Sequence, residues 1–211
     1  MNMRVFIADD HPVVRQGLKQ LLGAEADFSV AGEASSGHEV IDQCGRFAWD
    51  VAVLDYRMPG KGGIDLIKEL RQRFPDRPVL VLSVCPEDQY AMRVLRAGAA
   101  GYLTKESAPE DLVNAIRKVA RGGRFVSAAL GEQLALSLST GGDEPLHCRL
   151  SDREYQIMWL LASGKKVGEI AQQLFLSPNT ISTYRKRILE KLDLKSNAEL
   201  MRYAIGHQLV D

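Results

Sequence analysis

The sequence holds no apolar run that approaches the ~18 residues a membrane-spanning helix requires, so a membrane protein is excluded. Cysteine is scarce. Cys44, Cys85 and Cys148 are odd in number and far apart, which gives no disulfide framework and no cysteine metal pattern and points to a reduced, cytoplasmic chain. Neither sign of charge prevails, since 27 Lys and Arg balance 27 Asp and Glu. No sequence repeat and no low-complexity tract is present. With 45% hydrophobic and 26% charged residues, the composition is that of a soluble globular protein and excludes a disordered chain or a collagen. The opening MNMRVFIADDH runs straight into acids and reads as a strand, not a signal peptide. At 211 residues, the chain is one large domain or two small ones.

The charge balance conceals an asymmetry. Residues 149–211 carry ten bases and seven acids, a net of +3, and residues 1–148 carry 17 bases and 20 acids, a net of −3. An acidic front and a basic back suggest two modules with different partners.

The front alternates strands and helices. Short apolar runs at 4–8, 28–34, 51–54, 78–83 and 101–104 read as strands, and helical patterns fall near 13–22, 37–46, 62–73, 86–97 and 108–121. Ser107-Ala-Pro-Glu110 has the form of a capping box. Five βα repeats predict a parallel sheet with helices on both faces. Gly122-Gly123 ends the fifth helix, a short helix is expected near 127–138, and Ser139 to Pro145 reads as a linker. From residue 150 the pattern is helical only. Ser151-Asp-Arg-Glu154 is a second capping box, and Gly164 stops the helix it opens.

In a 2-1-3-4-5 strand order, the first and third strands are neighbours at the switch point where such sheets bind ligands. Asp9 and Asp10 close the first strand and Asp55 closes the third. Three carboxylates this close repel unless a hard cation sits among them or one is protonated. Mg²⁺ suits oxygen ligands of this kind. Ser83 ends the fourth strand and Lys105 follows the fifth. A hydroxyl and an ammonium facing a metal-bound carboxylate are what a phosphorylated carboxylate needs. Asp55, central on the rim, is then the nucleophile that forms an acyl phosphate. Taken singly, an Asp after a strand is a turn or cap residue, Ser83 an N-cap and Lys105 a solvated lysine. Five suitable residues at the ends of four strands outweigh those separate readings. His11 lies beside the acids and is assigned to the loop.

With ADDHPVVRQGL (8–18), Met58-Pro59-Gly60 after Asp55, Ser83, and AGAAGY (97–102) leading into Lys105, residues 1–121 resemble the receiver domain of two-component response regulators. The resemblance implies a flavodoxin-like (βα)5 fold and a histidine kinase that donates a phosphoryl group to Asp55. It implies Mg²⁺ held directly by Asp10 and Asp55, through water by Asp9, and by the Arg57 backbone carbonyl. Ser83 and Tyr102 match the switch positions, where the hydroxyl moves toward the phosphoryl group and the aromatic ring turns inward. Glu106 stands where many receivers have Pro.

Residues 167–192 read as helix-turn-helix. Phe175-Leu176 form the turn, Ser177 is an N-cap and Pro178 takes the first helical position. Ile181, Ile188 and Leu192 form the inward stripe; Asn179, Ser182, Thr183 and Lys186 lie opposite, flanked by Arg185, Arg187 and Lys191. Small polar side chains near the N-terminus of such a helix can approach base edges, and flanking bases reach phosphates. Trp159 and Met158 are assigned to the core, and His147 and His207 to the surface. With Leu150-Ser-Asp-Arg-Glu154, Glu169-Ile-Ala171, Thr180-Ile181 and Lys191-Leu192, residues 149–209 resemble the LuxR-type helix-turn-helix. The two resemblances occur in the order of the NarL/FixJ class. Carried over by position, Ser182, Thr183 and Lys186 face bases and Tyr184 and Arg187 the backbone, with Ser177, Asn179, Thr180 and Lys191 completing the surface. Ser182 and Tyr184 depart from the Lys and His common there.

The expectation is a receiver (1–121), a linker (122–148) and a DNA-binding domain (149–211). Such a chain would be a transcription regulator, not an enzyme, with a histidine kinase and promoter DNA as partners, a homodimer when phosphorylated, and no membrane. One alternative is a regulator independent of phosphorylation that acts through protein partners. Another is a phosphohydrolase built on Asp55, which would need a second acid where Arg57 stands.

Overall fold

The structure, a computed structural model, describes residues 2–59, 62–84, 87–128, 130–132, 145–207 and 209–210. Two compact units divide the chain, Met1–Ser139 and Thr140–Asp211.

The first unit is a five-stranded sheet of order 2-1-3-4-5, parallel throughout. The strands are β1 (Met3–Ala8), β2 (Phe28–Ala34), β3 (Val51–Asp55), β4 (Val79–Ser83) and β5 (Gly101–Thr104). The helices between and after them are α1 (Pro12–Gly23), α2 (Gly37–Arg46), α3 (Gly63–Arg73), α4 (Glu87–Arg96) and α5 (Pro109–Ala120). The inner strands are buried on both faces, so they read as unbroken apolar runs rather than alternating ones. Val5, Ile7, Val51, Val53, Leu80 and Leu82 form one core with Leu18 and Leu22 of α1 and Leu112, Ile116 and Val119 of α5. The alternate side chains Phe6, Ala52, Leu54, Val81 and Tyr102 are buried on the opposite face, where α2, α3 and α4 contact the strands.

Element boundaries match the sequence pattern to within one or two residues. One capping assignment is corrected. Pro109 occupies the first turn of α5, which puts Ala108 at the N-cap with no side-chain bond. Ser107 lies one residue too early to cap, and its hydroxyl pairs with Thr104 Oγ1 at 3.2 Å. Of the helix expected near 127–138, residues 128 and 130–132 are helical. Residues 133–144, which include the rest of that helix and the polar Ser139 to Glu144 stretch, lie outside the described residues.

The first element among the described residues of the second unit is a 3-10 turn at Leu146–Arg149. Four helices follow: α6 (Asp152–Ala162), α7 (Val167–Gln173), α8 (Pro178–Lys191) and α9 (Asn197–Gly206). The capping box at α6 forms in both directions, with Ser151 Oγ accepting from the Glu154 N–H and Glu154 from the Ser151 N–H. Ile157, Met158, Ile170, Ile181, Ile188, Leu200 and Ala204 make the core. Gly164 adopts φ +82 and turns the chain after α6, a conformation glycine enters without a Cβ clash. Two burial expectations change. Trp159, assigned to the core, is half-buried, and His147, assigned to the surface, is buried, its ring 3.1 Å from the Tyr203 hydroxyl. His207 is exposed, as its polarity suggested.

Candidate functional site

Strand register gathers the pocket. Ala8 pairs with Leu54 and Asp55 with Leu82, so the residues that follow β1 and end β3 meet at the same rim. Asp9 and Asp55 are buried there and Asp10 is half-buried. Ser83 and Tyr102 are fully buried. Lys105 reaches back across the rim, with Nζ 2.5 Å from Asp9 Oδ2 and 2.9 Å from Asp55 Oδ2. Its backbone N–H donates to the Ser83 carbonyl, which fixes the β5 end of the rim to the β4 end. The Arg57 N–H donates to Asp55 Oδ1 at 3.2 Å. Tyr56 stacks edge-on to Tyr90 of α4, with centroids 5.3 Å apart, so the residue after Asp55 is keyed into that helix.

The electrostatics follow from this packing. Burial pushes the Asp55 carboxyl above its ordinary range, and the hydrogen bonds from Lys105 and from the Arg57 N–H offset only part of the rise. Burial also works against the Lys105 ammonium, but its hydrogen bonds to Asp9 and Asp55 outweigh that and raise its pKa. One ammonium thus serves two buried carboxylates, while a third lies beside them.

That third carboxylate is where a cation fits. Asp10 Oδ1 is sealed from solvent with no hydrogen-bond partner; the nearby His11 Nδ1, at 2.8 Å, is close in distance but not aligned as a hydrogen bond. A sealed, unbonded carboxylate oxygen is costly unless a positive charge faces it. Among the described residues, Asp9, Asp10, His11 and Asp55 form the group able to hold a metal ion. His11, assigned from sequence to the loop, is therefore part of the pocket. Its direct succession to the two acids was the available signal.

In the second unit, α8 presents Asn179, Ser182, Thr183 and Lys186 to solvent along one stripe, the spacing of a single helical face. Ser177 caps the helix by accepting from the Thr180 N–H at 3.1 Å. The Ser182 hydroxyl donates to the Pro178 carbonyl and that of Thr183 to the Asn179 carbonyl, each at 3.0 Å. Arg187 is exposed and Tyr184 half-buried. Several bases have intramolecular partners instead. Arg185 donates to Asn197 of α9 at 2.6 Å, Arg153 to the Leu174 carbonyl at 3.1 Å, and Lys191 pairs with Glu154 at 2.7 Å. Sequence reasoning did not foresee these ties, because each joins helices distant along the chain.

Residues 5–117 match the response regulator receiver domain family, and residues 149–204 match the bacterial regulatory proteins of the luxR family. The chain belongs to the two-component response regulators. Response regulator UvrY of Escherichia coli K12 is 38% identical over 208 residues, covering 98% of this chain and 95% of UvrY. Response regulator GacA of Pseudomonas aeruginosa is 39% identical over 210 residues, covering 99% and 98%. Among solved structures, RcsB of Salmonella enterica serovar Typhimurium bound to promoter P1flhDC in the presence of a beryllium fluoride phosphomimetic has a TM-score of 0.61 at 32% identity, covering 96% of this chain and 98% of RcsB. A structure of two RcsB dimers bound to two parallel DNAs has a TM-score of 0.60 at 29% identity, with full coverage of both chains. This response regulator thus joins a receiver domain to a LuxR-type DNA-binding domain, and like its relatives it is a regulator rather than an enzyme. Among its described residues no helix is long and apolar enough to cross a membrane.

Proposed function

We propose that this response regulator accepts a phosphoryl group on Asp55 from a histidine kinase and that the modified chain dimerises and binds promoter DNA through α8. The observation that carries the proposal is the bridge from Lys105 to both Asp9 and Asp55 beside the sealed Asp10 oxygen. In the transfer, an Asp55 carboxylate oxygen forms a bond to phosphorus as the bond from phosphorus to the kinase imidazole nitrogen breaks, and the imidazole leaves. Burial makes Asp55 a more basic, more nucleophilic carboxylate than a solvated one. Lys105 neutralises charge on the phosphoryl oxygens as transfer proceeds. Ser83 donates its hydroxyl to one of those oxygens, and Tyr102 occupies the adjoining switch position.

Asp10 and Asp55, with Asp9 through water and the Arg57 backbone carbonyl, would hold Mg²⁺. When bound, that ion supplies positive charge to the phosphoryl oxygens. Slow, self-confined turnover follows from Arg57 standing where a phosphohydrolase would carry a second acid.

For DNA, Ser182, Thr183 and Lys186 would face base edges in the major groove. Ser177, Asn179, Thr180, Tyr184 and Arg187 would lie along the backbone, and Lys191 at the far end of the helix. A single small module with few phosphate contacts binds weakly at physiological salt, so two copies on paired half-sites are needed. RcsB, a relative of similar length, occurs as dimers on DNA, which supports that arrangement.

The test uses a small phosphodonor and Mg²⁺. Intact mass should gain one phosphoryl group in the wild type and none in Asp55→Ala, and promoter affinity and dimer fraction should rise only in the former. Unchanged labelling in Asp55→Ala, or equal DNA binding with and without phosphodonor, would overturn the proposal.

A further inference from the structure

The pocket contains one donor that is not an oxygen. One ligand atom each from Asp9, Asp10, Asp55 and His11 lies within 4.8 Å of every other. His11 Nδ1 is 2.8 Å from Asp10 Oδ1 and hydrogen-bonds Asp9 Oδ1 at 3.2 Å, so ligation would exchange that hydrogen bond, and the ring proton that makes it, for a bond to the ion. Neighbouring ligands on an octahedral ion stand about 1.4 bond lengths apart, roughly 3 Å for bonds of about 2.1 Å. The separation from Asp10, the carboxylate read as a direct ligand, is of that size.

The backbone holds the ring there. The His11 N–H donates to Asp9 Oδ1 at 2.8 Å. His11 occupies the N-cap of α1 in an extended conformation, followed by Pro12 at the first helical position. Its side chain makes no capping bond, so the imidazole is not consumed by the helix it precedes. The ring is 64% exposed, and an incoming ion meets it without the core having to open.

We propose that His11 Nδ1 is a fourth protein ligand of this pocket and that it shifts the metal preference from Mg²⁺ toward Mn²⁺ and the borderline first-row divalent ions. The proposal rests on the reading of the acids as a cation site and adds to it. Mg²⁺ selects oxygen ligands and keeps much of its water. Imidazole nitrogen favours later first-row ions, whose affinity at a mixed nitrogen and oxygen site rises along the series from Mn²⁺ to Cu²⁺. Exchanging one water for His11 therefore strengthens Mn²⁺ more than Mg²⁺.

The experiment titrates Mn²⁺ and Mg²⁺ separately into the full chain, into His11→Ala and into Asp10→Asn. Electron spin echo envelope modulation on bound Mn²⁺ then reports whether a nitrogen is directly coordinated. The wild type should show nitrogen coupling that is lost in His11→Ala. Mn²⁺ affinity should fall about tenfold or more in that variant, with a smaller loss for Mg²⁺, so that the Mn²⁺ to Mg²⁺ affinity ratio drops. Because the coupling is read on the wild type as well, the outcome does not depend on how the variant folds. Mn²⁺ bound without nitrogen coupling, or with coupling that survives in His11→Ala, would overturn the assignment of His11. If Asp10→Asn abolished binding in that case, the carboxylate pocket would stand. If the wild type bound neither ion, the pocket itself would fall, and the role of His11 with it.

Discussion

Lys191 Nζ lies 2.7 Å from Glu154 Oε2, so the last turn of α8 is tied to the first turn of α6. Glu154 is buried and also accepts from the Ser151 N–H at 2.8 Å. Lys191→Ala leaves that carboxylate short of one charged partner, which should cost about 1–3 kcal/mol of stability. Urea unfolding followed through Trp159 in a Trp49→Phe background reads the DNA-binding unit alone. Specific DNA affinity of the folded variant should change less than in Arg187→Ala.

The same pair predicts a pH dependence. Burial pushes the Glu154 carboxyl up, but the hydrogen bonds from Lys191 and from the Ser151 backbone more than offset it, and the pKa lies below its ordinary value. A depressed folded-state pKa contributes stability that is complete above the unfolded value near ~4.3 and is lost as pH falls through the folded value. The melting temperature of the helical unit should therefore drop on acidification below about pH 4. In Glu154→Gln the drop should be shallower. Calorimetric melts across that range check it, and parallel curves for the two proteins would refute it.

Lys105→Ala removes the cation shared by Asp9 and Asp55. Phosphotransfer to Asp55 should slow on the order of 10²-fold, the loss typical of removing one preorganised charge-stabilising group. Rapid-quench labelling with a small phosphodonor measures it. Near-wild-type rates in the variant would show that the ammonium is structural only.

Phe175 turns the chain between α7 and α8 at φ 53, and the residue is 96% exposed. A side chain in the left-handed region costs about 1–2 kcal/mol, and Asn enters it more readily. Phe175→Asn should stabilise the helical unit by about 0.5–1 kcal/mol, read by thermal or urea unfolding. A destabilised variant would mean that the ring packs against something in solution.

Lys186 and Arg187 should separate on DNA. Lys186→Ala should cost about 1–3 kcal/mol and relax preference at one base position, whereas Arg187→Ala should weaken all sequences alike and reduce the salt slope by about one. Competition binding at several salt concentrations distinguishes them. An equal loss of specific and random binding in Lys186→Ala would remove it from the base-reading set.

Much of this architecture is legible in the chain because its signals are local. The runs RVFIA, VAVLD and VLVLS end in polar residues at the rim, and strand order then collects Asp9, Asp55, Ser83 and Lys105 from positions up to 96 residues apart. Ser177 before Pro178 and Ser151 before Glu154 declare their helices in four letters. Long-range partnerships carry no such mark. Nothing in the spacing of Glu154 and Lys191, or of Arg185 and Asn197, announces that they meet. His147 looked like a surface residue from its polarity, but the Tyr203 hydroxyl 3.1 Å away satisfies its ring and lets it sit inside. Ser107 failed as a cap because Pro109 set the helix start one residue later than the motif assumed.

Ser182 and Thr183 have committed their hydroxyl protons to the carbonyls one turn behind them. While those bonds hold, each side chain offers only lone pairs outward. In the major groove the complements of a lone pair are the exocyclic amino groups of adenine and cytosine, whereas the donor-only ammonium of Lys186 complements the carbonyl oxygens of guanine and thymine. A half-site that suits this helix would thus place amino-bearing bases under its first exposed turns and a keto-bearing base one turn farther along.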